Sequence, residues 1–414
     1  MTRRKNPDSF DIVIAGGGMI GTSLALALAN LKLRIAVVEP VPRSAAAQPS
    51  FDERTTALSR SSQRLFSALG LWEDIAAAST PIADIHVSDK GRFGFAHIDA
   101  AEQGVEALGY VVINRVLGEV LEAALTNVDS VTLLNPAKVT GVSTSLDRAV
   151  VDVEHDAATV RQLETRLLVA ADGARSAVRD MLGISVRHSD YEQRAIIGNL
   201  VSEKPHANRA YERFTEDGPI ALLPMTAERT AFVWIAPEAR AQELLALDDG
   251  EFQSALQSAF GNRLGAFSRV GARASYPLWL SRAGGIVAER AALVGNAAHG
   301  LHPVAAQGFN LGLRDVATLA DLIAERLQDG DGDTVAADLL SDYAEWRAGD
   351  QKKLVRFTDG LVRLFGSQRP PVRVLRNVGM LGFDFVPGVR KLFARHTTGL
   401  AGRLPRLSRG VPLA

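Results

Sequence analysis

Three kinds of hydrophobic spacing alternate along the chain. The first is a short, unbroken aliphatic run, seen at residues 12–14, 35–38, 167–171 and 291–294. Runs of that length fit strands buried on both faces, as in a parallel sheet. The second recurs every three to four residues and predicts helices over 22–30, 61–69, 111–125, 178–182, 249–260, 310–326 and 338–347. The third alternates apolar and polar residues. It predicts strand, turn, strand over 82–95, and several strands between 187 and 277: AIIGNLVS, NRAYERFT, IALLPM, RTAFVWIAP and ARASYPLWL. That pattern fits an antiparallel sheet with one half-buried face. Residues 131–144 and 149–154 read as further strands. The fold class is therefore α/β: a parallel, doubly wound part interleaved with an antiparallel layer suited to holding a substrate.

Between the first two aliphatic runs lie Gly16, Gly18 and Gly21, in GxGxxG spacing, and the second run ends on Glu39. Strand, turn, helix, strand and acid in this order predict a Rossmann-type dinucleotide site. Gly16 permits the sharp turn, Gly18 lets the backbone approach a pyrophosphate, and Gly21 lets the helix lie close to the strand. The helix N-terminus faces the phosphates with unpaired N–H groups. Glu39 is placed to accept hydrogen bonds from a ribose diol and to repel a 2′-phosphate, so the site fits NAD or FAD better than NADP. Two plainer readings compete. Residues 12–29 carry no charge and follow Arg3, Arg4 and Lys5, as in a signal peptide or membrane span, but three glycines argue against a span. A Gly-rich turn without a ligand is the other.

Composition narrows the chemistry. The 414 residues have 47% hydrophobic content, enough for two or three packed units. A net charge of −1 gives no sign of nucleic-acid binding. There is no cysteine, which excludes disulfides, thiolate metal sites and Cys nucleophiles and fits a cytoplasmic protein. No HExxH pair or Ser-His-Asp arrangement is apparent, so no metal site is expected. The charge is uneven: residues 351–414 hold 13 Lys and Arg against Asp359 and Asp384. A basic, apolar-rich tail suits an anionic membrane surface or a partner, or equally a helical tail lying on an acidic body.

Further candidates follow along the chain. Arg54, in DERTTALS before a helix, and Arg115, at the start of another, can reach a dinucleotide; each is otherwise a surface arginine. Asp172 and Gly173 follow a buried strand directly, at the sheet edge where α/β folds bind ligands. The stretch 295–316, GNAAHGLHPVAAQGFNLGLRDV, holds Gly295, Gly300, Gly308 and Gly312, with Pro303 fixing a turn. It delivers backbone N–H groups, and a helix N-terminus near Gly308, toward a ligand.

Taken together, the GxGxxG turn with Glu39, the Asp172-Gly173 loop and this Gly-rich stretch resemble the class A flavoprotein aromatic monooxygenases of the para-hydroxybenzoate hydroxylase fold. DERTTALS, HVSDKGRFGF, YEQRAIIGN, ERFTEDGPIALLPM and YPLWLSRAG resemble the ubiquinone-biosynthesis branch of that family. The resemblance spans nearly the whole chain and implies an FAD-binding domain in three pieces, 1–80, 110–185 and 280–350. A substrate-binding domain takes 81–109 and 186–279, and a basic helical region takes 351–414. It implies FAD, NADH or NADPH as electron donor, and O2 as co-substrate, with a flavin C4a-hydroperoxide hydroxylating the ring of a polyprenyl phenol.

By the same resemblance, Pro303, Gln307, Gly308 and Asn310 lie beside the flavin ring, where backbone N–H groups stabilise negative charge. Arg54, Arg115, Asp172, Gly173, Gly295 and Asn296 contact FAD. Where the wider family has Gly-Asp, this chain has Gly295-Asn296, which keeps a hydrogen bond to a hydroxyl without the charge. His299 and His302 are candidate acceptors of the phenol proton, against a structural role for each. Leu222, Leu223, Pro224, Met225, Phe232 and Trp234 are candidate lining for an apolar substrate, against the ordinary role of alternating residues as core. The branch further implies other ubiquinone-biosynthesis proteins or a lipid-presenting partner, and a position in the cytoplasm or at the inner membrane. The alternatives are a hydroxylase of small soluble aromatics, a reductase of polyprenyl chains, or a non-catalytic flavin-binding scaffold.

Overall fold

A computed structural model of the chain describes residues 8–42, 54–91, 95–156, 159–226, 228–300, 308–328, 330, 337–366, 395 and 398–413. The chain opens with β1 (Ser9–Ala15), α1 (Met19–Leu28) and β2 (Ile35–Val38). Next come β3 (Thr55–Ser59), α2 (Arg60–Ala68), α3 (Trp72–Ala77), β4 (Thr80–Ile82), β5 (Asp84–Asp89) and β6 (Phe95–Asp99). Then β7 (Gly109–Ile113) leads into α4 (Asn114–Thr126), β8 (Val131–Leu134), β9 (Lys138–Thr144), β10 (Ala149–Asp156), β11 (Thr159–Ala170) and α5 (Ala177–Met181). The long β12 (Val186–Ser202) begins the antiparallel part: β13 (Arg209–Phe214), β14 (Pro219–Pro224), β15 (Arg229–Pro237), α6 (Glu238–Ala246), α7 (Asp249–Phe260), β16 (Phe267–Val270) and β17 (Ala274–Ala283). The last elements are β18 (Val287–Ala288), β19 (Ala291–Leu293), β20 (His299–Gly300), α8 (Gly308–Gln328) and α9 (Ala337–Gly366).

The first sheet runs β18-β19-β11-β1-β2-β8, with β9 and β10 attached beside β11. Its central strands β19, β11, β1, β2 and β8 are parallel. Val13, Ile14, Ile35 to Val37 and Leu167 to Ala170 are fully buried in it, which is why these strands read as continuous aliphatic runs. Chain order reverses at β1, with β2 on one side and β11 on the other. The crevice of a doubly wound fold lies above such a strand's carboxyl end, and that is where Gly16 falls.

The second sheet has nine strands, ordered β20-β17-β12-β15-β14-β13-β5-β6, with β16 on β12. Period-two alternation gives it two faces. One packs Ile196, Ile220, Leu222, Phe232 and Trp234 against Phe252, Leu256 and Phe260 of α7. The other carries Ile197, Ala221, Leu223 and Val233, each only partly buried. Part of that face meets a third, three-stranded sheet β3-β7-β4 through Ile82, Ala57, Val111, Ala210 and Leu223.

Two predicted elements change. The helix expected over 111–125 begins only at Asn114, because Tyr110 to Ile113 pair with β3 and β4 as a strand. Three β-branched residues in succession favour that choice. The helix expected over 338–347 continues to Gly366. Residues 398–413, expected to be helical, have only one turn of 3-10 helix, Leu407–Arg409. They dock on the first sheet's domain: Leu407 and Leu413 join its core, and Arg406 pairs with Asp321 of α8.

Candidate functional site

The glycine turn is closed too tightly for any side chain. Gly16 takes a positive φ of 107°, and a Cβ there would lie 2.5 Å from the Ala171 carbonyl oxygen. A Cβ on Gly21 would overlap the Gly16 carbonyl oxygen. Gly17, which the GxGxxG spacing does not single out, matters as much: its Cβ would meet the Glu39 Cβ at 2.8 Å. The Gly17 N–H donates to Glu39 Oε2 at 2.7 Å, and the Val41 N–H to Oε1 at 2.9 Å. Glu39 is thus fixed at the tip of β2, 8% exposed, with acceptor capacity left for a diol. Gly18 is the N-cap of α1, and no side chain caps that end. The first helical N–H groups therefore face the crevice above β1 as an anion site.

Two more loops meet this turn. Ala171 donates its N–H to Ala15 at 2.7 Å, which brings the Asp172-Gly173 loop against Gly16. Asp172 Oδ2 accepts from the Val178 N–H at 3.1 Å, and among the described residues its buried Oδ1 has no partner. That orphaned oxygen marks a place for a donor from outside the chain. Gly295 comes next to α1, where an added Cβ would stand 3.2 Å from Ile20. Asn296 is exposed on the 3-10 turn Gly295–Ala297. Arg179, 3% exposed, ties the two loops together, with Nη1 donating to the carbonyls of Ala174 at 3.2 Å and Ala297 at 3.3 Å.

Behind Gly295 lies a buried charge network that sequence reasoning missed. Asp315, fully buried on α8, accepts from the Gly295 N–H at 2.9 Å, from His299 Nε2 at 2.7 Å and from Arg347 Nε at 2.7 Å. Arg347, also fully buried, donates to Asp350 at 2.7 Å, and Arg314 bridges to the same carboxylate at 2.9 Å. Burial pushes the Asp315 carboxyl up, but His299 and Arg347 outweigh it and hold it below its ordinary range. The only sequence signal was a charged pair, Arg314-Asp315, inside an otherwise apolar helix pattern. His299 is 3% exposed and donates its Nε2–H to Asp315, which ties one side of the ring into this network; among the described residues its buried Nδ1 has no partner.

His302, Pro303 and Gln307 lie outside the described residues. Gly308 begins α8, with open space where a Cβ would be. The Asn310 side chain is engaged within the protein. Its Oδ1 accepts from the Ser59 N–H at 2.8 Å and from Ser62 Oγ at 2.7 Å, and its Nδ2 donates to Ala57 at 2.9 Å. What Asn310 offers a cofactor is the backbone at the start of α8; its side chain holds α8 to α2 and β3.

Arg54 lies between the sheets, its guanidinium 5.0 Å from the Tyr276 ring centre on β17. Arg115 is exposed and pairs with Glu119 at 2.8 Å. The three candidate substrate residues separate. Leu223 faces the partly open side of the second sheet. Met225 is buried at the end of β14, its N–H on Arg229 at 3.0 Å. Trp234 is 1% exposed and faces the helices, with its ring 5.9 Å from Phe252. Leu222 and Phe232 share that covered face, so Trp234 and these two are core and not lining. The strand period decides it: residues an odd number of positions apart point to opposite faces.

A turn that only glycine fits, an uncapped helix end, a fixed Glu39 and an unpartnered Asp172 oxygen suit a dinucleotide such as FAD. The chain matches the FAD binding domain family over residues 9–358. It is 40% identical to the ubiquinone hydroxylase UbiL of Rhodospirillum rubrum, over 97% of this chain and 93% of that protein. It is 32% identical to the 3-demethoxyubiquinol 3-hydroxylase of Escherichia coli, over 94% and 98%. In fold it is similar to p-nitrophenol 4-monooxygenase from Pseudomonas putida, with a TM-score of 0.78 at 18% identity, over 96% and 99%.

Proposed function

Because this chain belongs to the FAD binding domain family, among the ubiquinone hydroxylases, we propose that it hydroxylates the aromatic ring of a polyprenyl phenol in ubiquinone biosynthesis. The enzyme is an FAD-dependent aromatic-ring monooxygenase that draws electrons from NADH or NADPH and takes O2 as co-substrate. Within the branch its motifs resemble those of 2-octaprenyl-6-methoxyphenol hydroxylase. One observation supports the choice of substrate: the second sheet carries a half-covered aliphatic face, with Ile197, Ala221, Leu223 and Val233, part of which meets the three-stranded sheet. A hydrocarbon chain is stabilised there by about 25 cal/mol per Å² of apolar surface removed from water.

When bound, FAD supplies the activation of dioxygen. The chain's own residues hold and enclose the reactants. Gly16 and Gly21 close the turn and Gly17 fits against Glu39; Gly18 would let the backbone approach the pyrophosphate, the α1 N-terminus would neutralise it, and Glu39 would take the ribose. Asp172 and Asn296 offer hydrogen bonds to the remaining hydroxyls or donors. The start of α8, Gly308 to Asn310, would supply N–H groups to the flavin ring. The aliphatic sheet face excludes water and presents only the phenol ring to the flavin.

We place the enzyme in the cytoplasm, with the basic region 351–414 favouring an anionic inner-membrane surface or a lipid-presenting partner of the same pathway. Among the described residues no helix is long and apolar enough to cross a membrane.

The test is hydroxylation by the FAD-loaded protein under heavy-isotope oxygen, with a geranylated phenol and with the same phenol lacking the chain. Label in the ring of the geranylated compound is the expected result. Faster turnover of the unprenylated phenol would move the substrate to small aromatics, and hydrogen uptake into the chain would make the enzyme a reductase. Failure of every phenol to stimulate NAD(P)H oxidation would leave a flavin-binding scaffold.

A further inference from the structure

The middle of the second sheet's inner face is aliphatic, and one carboxylate stands in the row that crosses it. Strand register aligns Ile197, Val233, Ala221, Glu212, Val87 and Ala96 in a single row across β12, β15, β14, β13, β5 and β6. Directly paired residues point to the same face, so Glu212 shares a surface with the partly open residues Ala221 and Val233. Its neighbour two positions back on that face, Ala210, packs with Leu223, Ile82 and Val111. Glu212 therefore stands about 7 Å along the strand from the point where the two layers close.

A carboxylate that serves packing is held by cations or N–H groups, as Asp84 is by Arg209 and Asp315 by Arg347. Glu212 has neither a hydrogen bond nor an ion pair among the described residues. It keeps part of its surface accessible although protein crowds it on most sides. Loss of hydration alone raises its carboxyl to about 7. Among the described residues, the other titratable or charged groups that strand register places on this face are Asp89, two positions on from Val87, Tyr276 with Arg54 above it, on the far side of β12, and the exposed Arg229 and Arg269, which pair with Val201 at the strand ends. Beside Glu212 the three-stranded sheet contributes Ala57 and Val111, which carry no charge.

We propose that Glu212 is the catalytic residue that accepts the proton of the substrate's ring hydroxyl. The proposal rests on the phenol-hydroxylase reading above. In the step, the phenol O–H bond breaks, the proton bonds to a Glu212 oxygen, and the electron pair stays on the phenolate oxygen. That pair raises the electron density at the ring carbons ortho and para to it, which is what an electrophilic oxygen needs. The transfer is redox-neutral; NAD(P)H and O2 of the assigned reaction supply the electrons and oxygen of the hydroxylation. A base poised near neutral pH suits a phenol whose own ionisation lies near 10. Glu212 thus takes the role that sequence reading offered to His299 or His302.

The experiment compares FAD-loaded parent, Glu212→Gln and Glu212→Asp with 2-geranyl-6-methoxyphenol as probe, following product, NAD(P)H consumed and probe Kd from pH 5.5 to 9.5. The parent is expected to gain hydroxylation rate through an inflection near 7. Glu212→Gln should bind FAD and probe within about threefold of the parent, lose about 100-fold or more of hydroxylation, and lose the inflection. Its turnover should then climb with pH toward the ionisation of the free phenol. Glu212→Asp should recover part of the rate. A ring-fluorinated probe, whose hydroxyl is more acidic, should rescue Glu212→Gln more than it speeds the parent. A Glu212→Gln protein with the parent's rate and pH profile overturns the inference and leaves the phenol-hydroxylase reading intact. Should neither variant take up FAD, the parent decides: a profile flat between pH 6 and 8 overturns the inference. A parent that hydroxylates no prenylated phenol removes the reading and the inference together.

Discussion

One methyl group is enough to close the nucleotide turn. A Cβ on Gly21 would overlap the Gly16 carbonyl oxygen, a backbone atom that cannot swing aside. Gly21→Ala is expected to abolish FAD retention through gel filtration, read as the ratio of flavin to protein absorbance, while leaving most helical signal intact. Full flavin content in that variant would refute the assigned cradle. Glu212 gives a second prediction at this scale, on stability. Its carboxyl titrates at about 7 in the fold but near 4.3 unfolded. Between those values the folded state holds the extra proton, so stability present at pH 4 is lost as pH rises through 7. The loss is bounded by about 4 kcal/mol. Glu212→Gln should match the parent in urea at pH 4 and exceed it at pH 8. Parallel curves at both pH values would contradict this.

At the scale of elements, the central device is the buried link from the Gly295 turn through Asp315 of α8 to Arg347 of α9. It aligns a cofactor loop with two helices. Breaking one partner leaves a buried cation, so Asp315→Asn should cost about 3–5 kcal/mol at pH 7. The native carboxylate is held below its usual range, so its contribution is present above about pH 4 and fades as pH falls further. The deficit of Asp315→Asn should therefore shrink at pH 3, measured by urea midpoints; an equal deficit at pH 3 and 7 would rule out the charge as its origin. The sequence showed α8 but not this use of it, because a buried ion pair depends on residues 32 positions apart. It showed Asn310 at the right place and missed what its side chain does, since Ser59 and Ser62 reach it only after folding.

At the scale of the whole molecule, the relation between the two large sheets decides where a substrate fits. Leu223 and Trp234 looked alike as apolar residues on neighbouring strands, yet they lie on opposite faces. Leu223→Trp should fill the inner face and weaken binding of a geranylated phenol tenfold or more while FAD content stays unchanged, read by titrating flavin fluorescence. Trp234→Ala should instead cost about 3–5 kcal/mol of stability and leave phenol binding unaltered in the folded fraction. The reverse pattern would exchange the two faces. The basic C-terminal region behaves in part as the plainer reading expected, since residues 398–413 lie on α2 and α8 with Leu407 and Arg406 as anchors.

The sequence by itself determined what is local in the chain. The aliphatic runs set the parallel strands, the glycine spacing set the nucleotide turn, and period-two alternation announced the second sheet, because each depends on the geometry of a few successive residues. Those motifs in order also carried the family. Tertiary structure alone decided which alternating face stayed open, where His299 and Asn310 direct their hydrogen bonds, and that Glu212 has neither a hydrogen bond nor an ion pair among the described residues. These depend on register between strands and on burial, which arise only when distant segments meet.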